Sequence, residues 1–133
     1  MKLGLMVGYW MTGPSDPTET VLEAERLGFD SVWTAEAYGS DAFSPLCWIG
    51  ARTSRIKLGT AVMQISARTP ASVGMTSMTI DHLSHGRLIL GIGVLVGGVG
   101  ILRPQVHVEV GQQLARRLGI GALVGDHIGE MRQ

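Results

Sequence analysis

The stretch Ile56–Gly93 constrains the fold most, because it contains two short apolar runs separated by a helical pattern. Ile56–Val62 is rich in strand-forming residues, and Leu88–Gly93 is a second apolar run that ends in glycine. A strand, a crossover helix and a second buried strand make a βαβ unit, and such units build parallel sheets. This stretch therefore predicts a parallel sheet.

The helix between these two runs has both of its ends marked in the sequence. Thr69 can cap free backbone amides, and Pro70 fits the first helical position. The helix is expected to run to about Leu83, with Gly86 as a left-handed stop.

The same order of elements is predicted earlier in the chain. Strands are expected at Lys2–Gly8 and Ser31–Thr34, and cap–proline pairs open helices at Asp16-Pro17 and at Ser44-Pro45, the latter running to about Arg52. Four parallel strands in sequence order predict an α/β fold, either about half of a (β/α)8 barrel or the start of a doubly wound sheet. At 133 residues the chain is well short of the roughly 250 residues of a closed barrel.

The character of the sequence changes after Gly93. Residues 94–133 contain no aromatic side chain, whereas every Phe, Trp and Tyr lies within residues 9–48. A helix over Gln105–Leu118 and a short strand over Ile120–Val124 are expected there. We therefore divide the chain into residues 1–93, which follow the βα pattern, and an atypical, divergent tail over residues 94–133.

Charge and cysteine content argue against several classes of function. Eleven basic residues balance eleven acidic ones, which predicts neither a nucleic-acid partner nor an anionic membrane partner. The single cysteine, Cys47, cannot form an internal disulfide, and no Cys/His cluster has the spacing of a metal site. The N-terminal apolar run is too short for a signal peptide, and no run reaches the length of a membrane span, so we expect a cytoplasmic protein.

The candidate functional residues follow the predicted strands, because parallel-sheet proteins place their chemistry at the carboxyl ends of strands. Tyr9 and Trp10 follow the first strand, where they could form the wall of a flat-ring pocket or simply pack at the rim. Glu36 lies two residues past the second strand. Its carboxylate could donate a proton or accept a hydrogen bond, although most Glu residues are solvated.

The sequence permits either a functional or a structural role for Gly91, Gly93 and Arg68. Gly91 and Gly93 suit a turn whose backbone amides approach a phosphate, but barrel strands also use glycine for close packing. Arg68 could meet the polar tail of a cofactor, although a surface charge before a helix is the commoner role. Asp41 is predicted to be an ordinary loop residue.

Four segments, in order, carry a resemblance to a known family: KLGLMVGYW, EAERLGFDSVWTAEAYGSDAFSPL, GARTSRIKLGTAVMQISARTPA and MTIDHLSHGRLILGIG. Together they resemble the N-terminal part of the bacterial luciferase-like monooxygenase superfamily, in particular its F420-dependent oxidoreductases. The resemblance implies a (β/α)8 TIM barrel that binds coenzyme F420, or alternatively FMN, at the carboxyl ends of its strands. It also implies hydride transfer or monooxygenation of a small organic substrate.

The resemblance assigns roles to individual residues of this chain. It implies a catalytic role for Glu36 beside the cofactor ring, and a non-proline cis peptide at Ala61–Val62 in a bulge that backs the ring. Gln64 is expected to hydrogen-bond the ring edge. The predicted cofactor-binding residues are therefore Tyr9, Trp10, Ala61, Val62, Gln64, Gly91 and Gly93, and no metal ligand is predicted.

The segment VLVGGVGILRPQ after Gly93 departs from the family pattern, and the sequence ends where the resemblance leads us to expect the second half of the barrel to begin. A fragment, a frameshift near codon 94 and a shortened relative all remain open. We therefore predict a truncated flavin- or F420-dependent oxidoreductase. The alternative is a non-catalytic incomplete barrel or half-barrel that self-associates through two exposed sheet edges. Both interpretations predict a homo-oligomer.

Overall fold

The computed structural model describes residues 2–94 and the pair 107–108. Strands and helices alternate along the first of these ranges, as the sequence predicts. In chain order the elements are β1 (Gly4–Gly8), α1 (Thr18–Arg26), β2 (Ser31–Thr34), α2 (Phe43–Gly50), β3 (Lys57–Thr60), β4 (Met63–Gln64), a 3-10 turn (Ile65–Ala67), α3 (Pro70–Leu83), β5 (Leu88–Gly93) and β6 (His107–Val108).

The strands β1 to β5 form a parallel sheet, which confirms the predicted α/β class. β1 pairs with β2, β2 with β3, and both β3 and β4 pair with the same edge of β5. Because β3 and β4 follow one another along that edge, they act as one interrupted strand. The result is four strand positions in sequence order, as in the first half of a (β/α)8 barrel.

The other edge of β5 pairs with β6 in antiparallel orientation, with Leu90 opposite Val108 and Gly91 opposite His107. The predicted helix over Gln105–Leu118 is therefore wrong at residues 107–108, and the prediction of an exposed edge is wrong at this part of β5. The rest of that helix and the predicted strand over Ile120–Val124 lie outside the described residues.

The strand predicted over Ile56–Val62 is interrupted by a bulge. Gly59 is paired with Ile89, and Met63 is paired with Ile92, so four steps along β3–β4 match three steps along β5. One extra residue is thus accommodated between β3 and β4. The Ala61–Val62 peptide bond within this bulge is cis, as the resemblance implies.

The ends of α3 confirm the sequence signals. The Ser72 N–H donates to Thr69 Oγ1 over 3.2 Å, and Pro70 occupies the first helical position. The helix ends at Leu83, and Gly86 has a φ of +80°, in the left-handed region that favours glycine.

The start of α2 differs from the prediction. The helix begins at Phe43, with Ala42 at the N-cap position. The capping side chain is that of Asp41 rather than Ser44, because Asp41 Oδ1 accepts the N–H groups of Phe43 and Ser44 over 2.7 and 2.8 Å. A carboxylate just ahead of the helix satisfies these two amides, and Ser44 becomes part of the first turn.

The start of α1 is shifted by one residue. Thr18 is its first residue, and the Thr18 N–H donates to Asp16 Oδ1 over 2.9 Å, so Asp16 stabilises the first turn from ahead of Pro17.

The two faces of the sheet are packed in different ways. The helix-facing side forms a buried apolar core that includes Val32, Leu58, Leu90, Val21, Leu46 and Ile80. On the opposite face the half-buried Trp33 ring lies across the neighbouring strands at Gly4 and Gly59. A Cβ atom at Gly59 would lie 2.3 Å from Trp33 Cε3, so the ring requires glycine there.

Among the described residues, no helix is long and apolar enough to cross a membrane.

A single carboxylate organises the entry into β3, at the amino end of the sheet. Glu25 Oε1 accepts the N–H groups of Ser54, Arg55 and Ile56 over 3.0, 2.6 and 2.8 Å. Burial alone would raise the pKa of Glu25, but these three hydrogen bonds and the charge of Arg55 lower it below 4.5, its ordinary value.

We expect the Glu25→Gln variant to lose about 1–2 kcal/mol of unfolding free energy at pH 7, because a neutral amide oxygen accepts these bonds more weakly. A lowered folded-state pKa contributes stability that is full above the ordinary pKa and is lost as the pH falls through the folded value. The wild-type chain should therefore approach the variant in stability below about pH 5. Urea unfolding at several pH values measures this, with Glu23→Gln as the matched exposed control. A constant difference between wild type and Glu25→Gln down to acidic pH would contradict the assignment.

Candidate functional site

The loops after β2 and β4 line a shallow, open cleft at the carboxyl ends of the strands. Its volume is about 420 Å³, within the range of small-molecule sites. The lining residues are Glu36, Ala37, Tyr38, Gly39, Ser40, Asp41, Gln64, Ala67 and Arg68. The cleft therefore lies where the parallel architecture predicts a functional site.

Glu36 lies in the wall of this cleft, and only 9 % of its surface is exposed. One carboxylate oxygen, Oε2, accepts the Gln64 N–H over 2.5 Å. The other, Oε1, accepts the Ala42 N–H over 3.3 Å and forms an ion pair with Arg68. The carboxylate thus joins the loop after β2 to β4 and to the residue that precedes the α3 cap.

Arg68 also lines the cleft, whereas its sequence position favoured a surface charge over contact with the polar tail of a cofactor. Its side chain is only 20 % exposed, and its guanidinium carbon lies 5.4 Å from the centre of the Phe43 ring. A second carboxylate, Asp41 Oδ1, lies 3.8 Å from Arg68 Nη2. The surface-charge interpretation of Arg68 is therefore wrong, because the guanidinium is held between two acidic side chains and an aromatic ring.

Asp41 also has a larger role than that of an ordinary loop residue. Burial alone would raise the pKa of Asp41, but hydrogen bonds from Ser44 and Phe43 and the charge of Arg68 lower it. The carboxylate that starts α2 thus also contributes to the electrostatics of the cleft. The sequence signal for this network was the placement of opposite charges in two neighbouring strand-end loops.

The bulge residues lie directly behind Glu36. The Ala61 N–H donates to the Thr34 carbonyl over 2.6 Å, and the Val62 carbonyl accepts the Glu36 N–H over 3.2 Å. Gln64, which follows the bulge, lines the cleft beside Glu36. The structure thus brings together Glu36, Ala61, Val62 and Gln64, whose proposed cofactor contacts remain predictions.

Gly91 and Gly93 face the β3–β4 segment. A Cβ atom at Gly91 would lie 2.1 Å from the Thr60 carbonyl oxygen, and one at Gly93 would lie 2.7 Å from Val62 Cγ2. Thr60 Oγ1 also exchanges two 2.8 Å hydrogen bonds with the backbone of Gly91. Close strand packing therefore accounts for both glycines, and neither belongs to the lining of the cleft.

Tyr9 and Trp10 lie on the adjacent loop after β1. The Trp10 ring lies over Gly8, where a Cβ atom would be 2.1 Å from Cζ3, whereas Tyr9 is 59 % exposed. The Trp10 carbonyl accepts the Gly39 N–H over 3.0 Å, which connects this loop to the cleft. Of the predicted site residues, Glu36 and Gln64 line the cleft itself, and these two aromatic residues lie next to it.

The fold and this cleft define a barrel-type α/β protein whose candidate site is built by the loops that follow its strands. The family model for luciferase-like monooxygenases matches residues 7–116, and the chain therefore belongs to this family. The match continues past Gly93, and the domain boundary placed there from the sequence stays a prediction.

Individual relatives agree with this membership. An oxidoreductase of Mycobacterium tuberculosis, assigned by its name to the coenzyme F420-dependent enzymes (Rv3520c), is 57 % identical over 95 residues, which are 71 % of this chain and 27 % of the relative. An F420-dependent glucose-6-phosphate dehydrogenase of Amycolatopsis mediterranei is 35 % identical over 103 residues, 70 % of this chain and 31 % of that protein. The chain thus spans less than a third of the length of these two relatives.

A solved structure supports the fold. The coenzyme F420-dependent tetrahydromethanopterin reductase from Methanopyrus kandleri superposes with a TM-score of 0.64 at 22 % identity, covering 89 % of this chain and 38 % of that one. At this identity the likeness concerns the fold alone.

We expect Glu36→Gln and Arg68→Met each to lower the unfolding free energy by about 2–4 kcal/mol, because each leaves a largely buried charged group without the partner of its shortest ion pair. The double variant should cost less than the sum, since the two groups interact directly. Urea unfolding of the four proteins gives this coupling.

The matched control is the pair Glu23→Gln and Arg26→Met, which removes an exposed ion pair on α1 and should change stability little. Additive effects of Glu36→Gln and Arg68→Met would contradict a direct pair.

Proposed function

We propose that this chain forms the strand-end part of a coenzyme F420 site in a luciferase-like oxidoreductase. The observation that carries the proposal is the link from Glu36 to the Gln64 backbone beside an open cleft, in a chain that is 57 % identical to a relative named for F420. When bound, F420 donates or accepts a hydride. The substrate would be a small organic molecule.

The described residues fit the ring of such a cofactor better than its polar tail. Gln64 lies at the cleft wall directly after the bulge, and the small residues Ala37, Gly39 and Ala67 line the cleft near it. The guanidinium of Arg68 already faces two carboxylates, which leaves little positive charge for a phosphate in this part of the cleft. We therefore propose that phosphate contacts come from outside the lining described above.

We propose distinct roles for the residues around the ring. Glu36 would act mainly by holding Gln64 and the bulge in place, since both of its carboxylate oxygens already accept hydrogen bonds or pair with a cation. Its catalytic role as a proton donor stays a prediction. Tyr9 and Trp10 would border the ring, while Gly91 and Gly93 would act by allowing β5 to approach the bulge.

The alternative cofactor is FMN, which would support oxygenation rather than F420 chemistry. The alternative function is a non-catalytic half-barrel. Each of these proposals makes a different prediction for ligand binding by the full chain.

We expect a cooperative thermal unfolding transition that shifts upward with excess F420, because a ligand that binds only the folded state stabilises it by mass action. A concentration of about 100 times the dissociation constant adds about 2.7 kcal/mol. The measurement is a thermal melt of the full chain alone, with F420 and with FMN. A rise in melting temperature with FMN only would show that the cofactor is FMN and not F420. A melting temperature that neither cofactor changes would favour the non-catalytic half-barrel.

We also propose that the chain associates with itself through the outer edge of β1, which has no strand partner among residues 2–94 and 107–108. Sedimentation equilibrium should then show a concentration-dependent rise in mass. A monomer throughout the micromolar range and at the highest attainable concentration would contradict the proposal.

A further inference from the structure

Large apolar side chains are exposed on each of the loops that surround the cleft. Tyr38 on the loop after β2 is 84 % exposed, and Tyr9 and Met11 after β1 are 59 % and 56 % exposed. Ile65, which directly follows β4, is 51 % exposed. We call these four residues the apolar rim.

The backbone contacts of the loops bring the apolar rim together at one end of the sheet. Gly39, next to Tyr38, donates its N–H to the carbonyl of Trp10, which lies between Tyr9 and Met11. Gln64, next to Ile65, donates its N–H to Glu36, two residues before Tyr38. The loops that carry the four residues are therefore neighbours, and Tyr38 lines the cleft itself.

Tyr38 is held out at the mouth of the cleft by a braced turn. Ala37 and Ser40 exchange backbone hydrogen bonds of 3.1 and 3.3 Å across the turn. A Cβ atom at Gly39 would lie 2.6 Å from the backbone nitrogen of Gly13, so the turn rests directly on the loop after β1. An aromatic side chain with such support is presented without the ordering cost of a mobile loop.

The charges inside the cleft limit the charge of a ligand that binds beside the rim. Glu36 and Asp41 contribute two negative charges and Arg68 one positive charge, so the charged groups of the lining sum to −1. Because the single guanidinium already faces both carboxylates, an added phosphate or carboxylate would meet net repulsion. The uncharged part of the lining imposes no such barrier.

With the F420 ring placed beside Gln64, we propose that the apolar rim and the rest of the cleft, around Asp41 and Arg68, select an uncharged substrate with an apolar or aromatic body. They discriminate against phosphorylated molecules. This inference rests on the proposed oxidoreductase function and names its substrate class. Apolar area on the rim favours the body of the molecule, and the negative cleft disfavours an anionic head group. Tyr38 is the specificity residue that the structure assigns to this role.

The test compares 1-naphthol with 1-naphthyl phosphate, which share an aromatic body and differ in charge. Binding of each to the full chain is measured by ligand fluorescence at pH 7, with and without F420. We expect 1-naphthol to bind at least about tenfold more tightly, the equivalent of about 1.4 kcal/mol. Equal or tighter binding of 1-naphthyl phosphate would overturn the proposal.

Tyr38→Ser should weaken 1-naphthol binding roughly fivefold, because it removes the most exposed part of the rim's apolar area. The matched control is Leu83→Ser, which removes a 74 % exposed apolar side chain at the far end of α3 and should leave binding unchanged. Equal thermal melts of the two variants establish that both fold. Unchanged naphthol affinity in Tyr38→Ser would also overturn the proposal.

Sedimentation equilibrium of the same variants tests whether the rim binds a second copy of this chain instead of a substrate. If Tyr38→Ser converts a dimer to a monomer without affecting naphthol binding, the rim binds a second copy and the substrate proposal is wrong. Naphthol discrimination in a chain that does not respond to F420 would refute the proposed cofactor and leave the rim's selectivity established. A chain that binds F420 but binds both naphthyl ligands equally well would refute the rim's selectivity and leave the proposed cofactor supported.

Discussion

The Glu36 carboxylate is the interaction on which the carboxyl-end face of this sheet depends. A largely buried carboxylate is costly unless hydrogen bonds and a cation replace its water shell. Here the replacements come from Gln64, Ala42 and Arg68, which belong to three different segments. The contacts that replace the anion's water shell therefore also connect the three segments around the cleft.

That arrangement explains why the bulge after β3 and the loop after β2 act as one unit. The Glu36 N–H donates to the Val62 carbonyl, while its side chain accepts from Gln64, so the same residue contacts the bulge on both sides of Met63. Met63 itself is fully buried in the core. The buried Met63 side chain thus anchors the end of the bulge in the core, and the two hydrogen bonds with Glu36 hold it on the cleft side.

Local patterns in the sequence predicted the order of elements and the ends of α3, because caps, prolines and left-handed glycines act over a few residues. The start of α2 was missed because Asp41 and Ser44 are both good caps, and only the path of the preceding loop selects between them. The interruption of β3 left no mark in an apolar run. Its position came from family resemblance, which also located the cis bond.

The ion pair between Glu36 and Arg68 could not be read from local pattern, since it joins residues on different strand-end loops. For Gly91 and Gly93 the local pattern was visible, but it fitted two different roles. A phosphate turn and a close strand contact both require glycine, so the residue type alone does not distinguish them. The Thr60 carbonyl and the Val62 side chain, which occupy the space where their Cβ atoms would lie, favour the strand contact.

The Trp33 ring has a consequence for how this sheet can vary. It occupies the space above Gly4 and Gly59, and its Nε1–H donates to Ser31 Oγ over 2.8 Å. A larger residue on either flanking strand is tolerated only if the indole moves or shrinks, and loss of the indole leaves two bare glycines uncovered. These three positions, on three different strands, must therefore change together, and sequences that share this fold should show them as a covarying set.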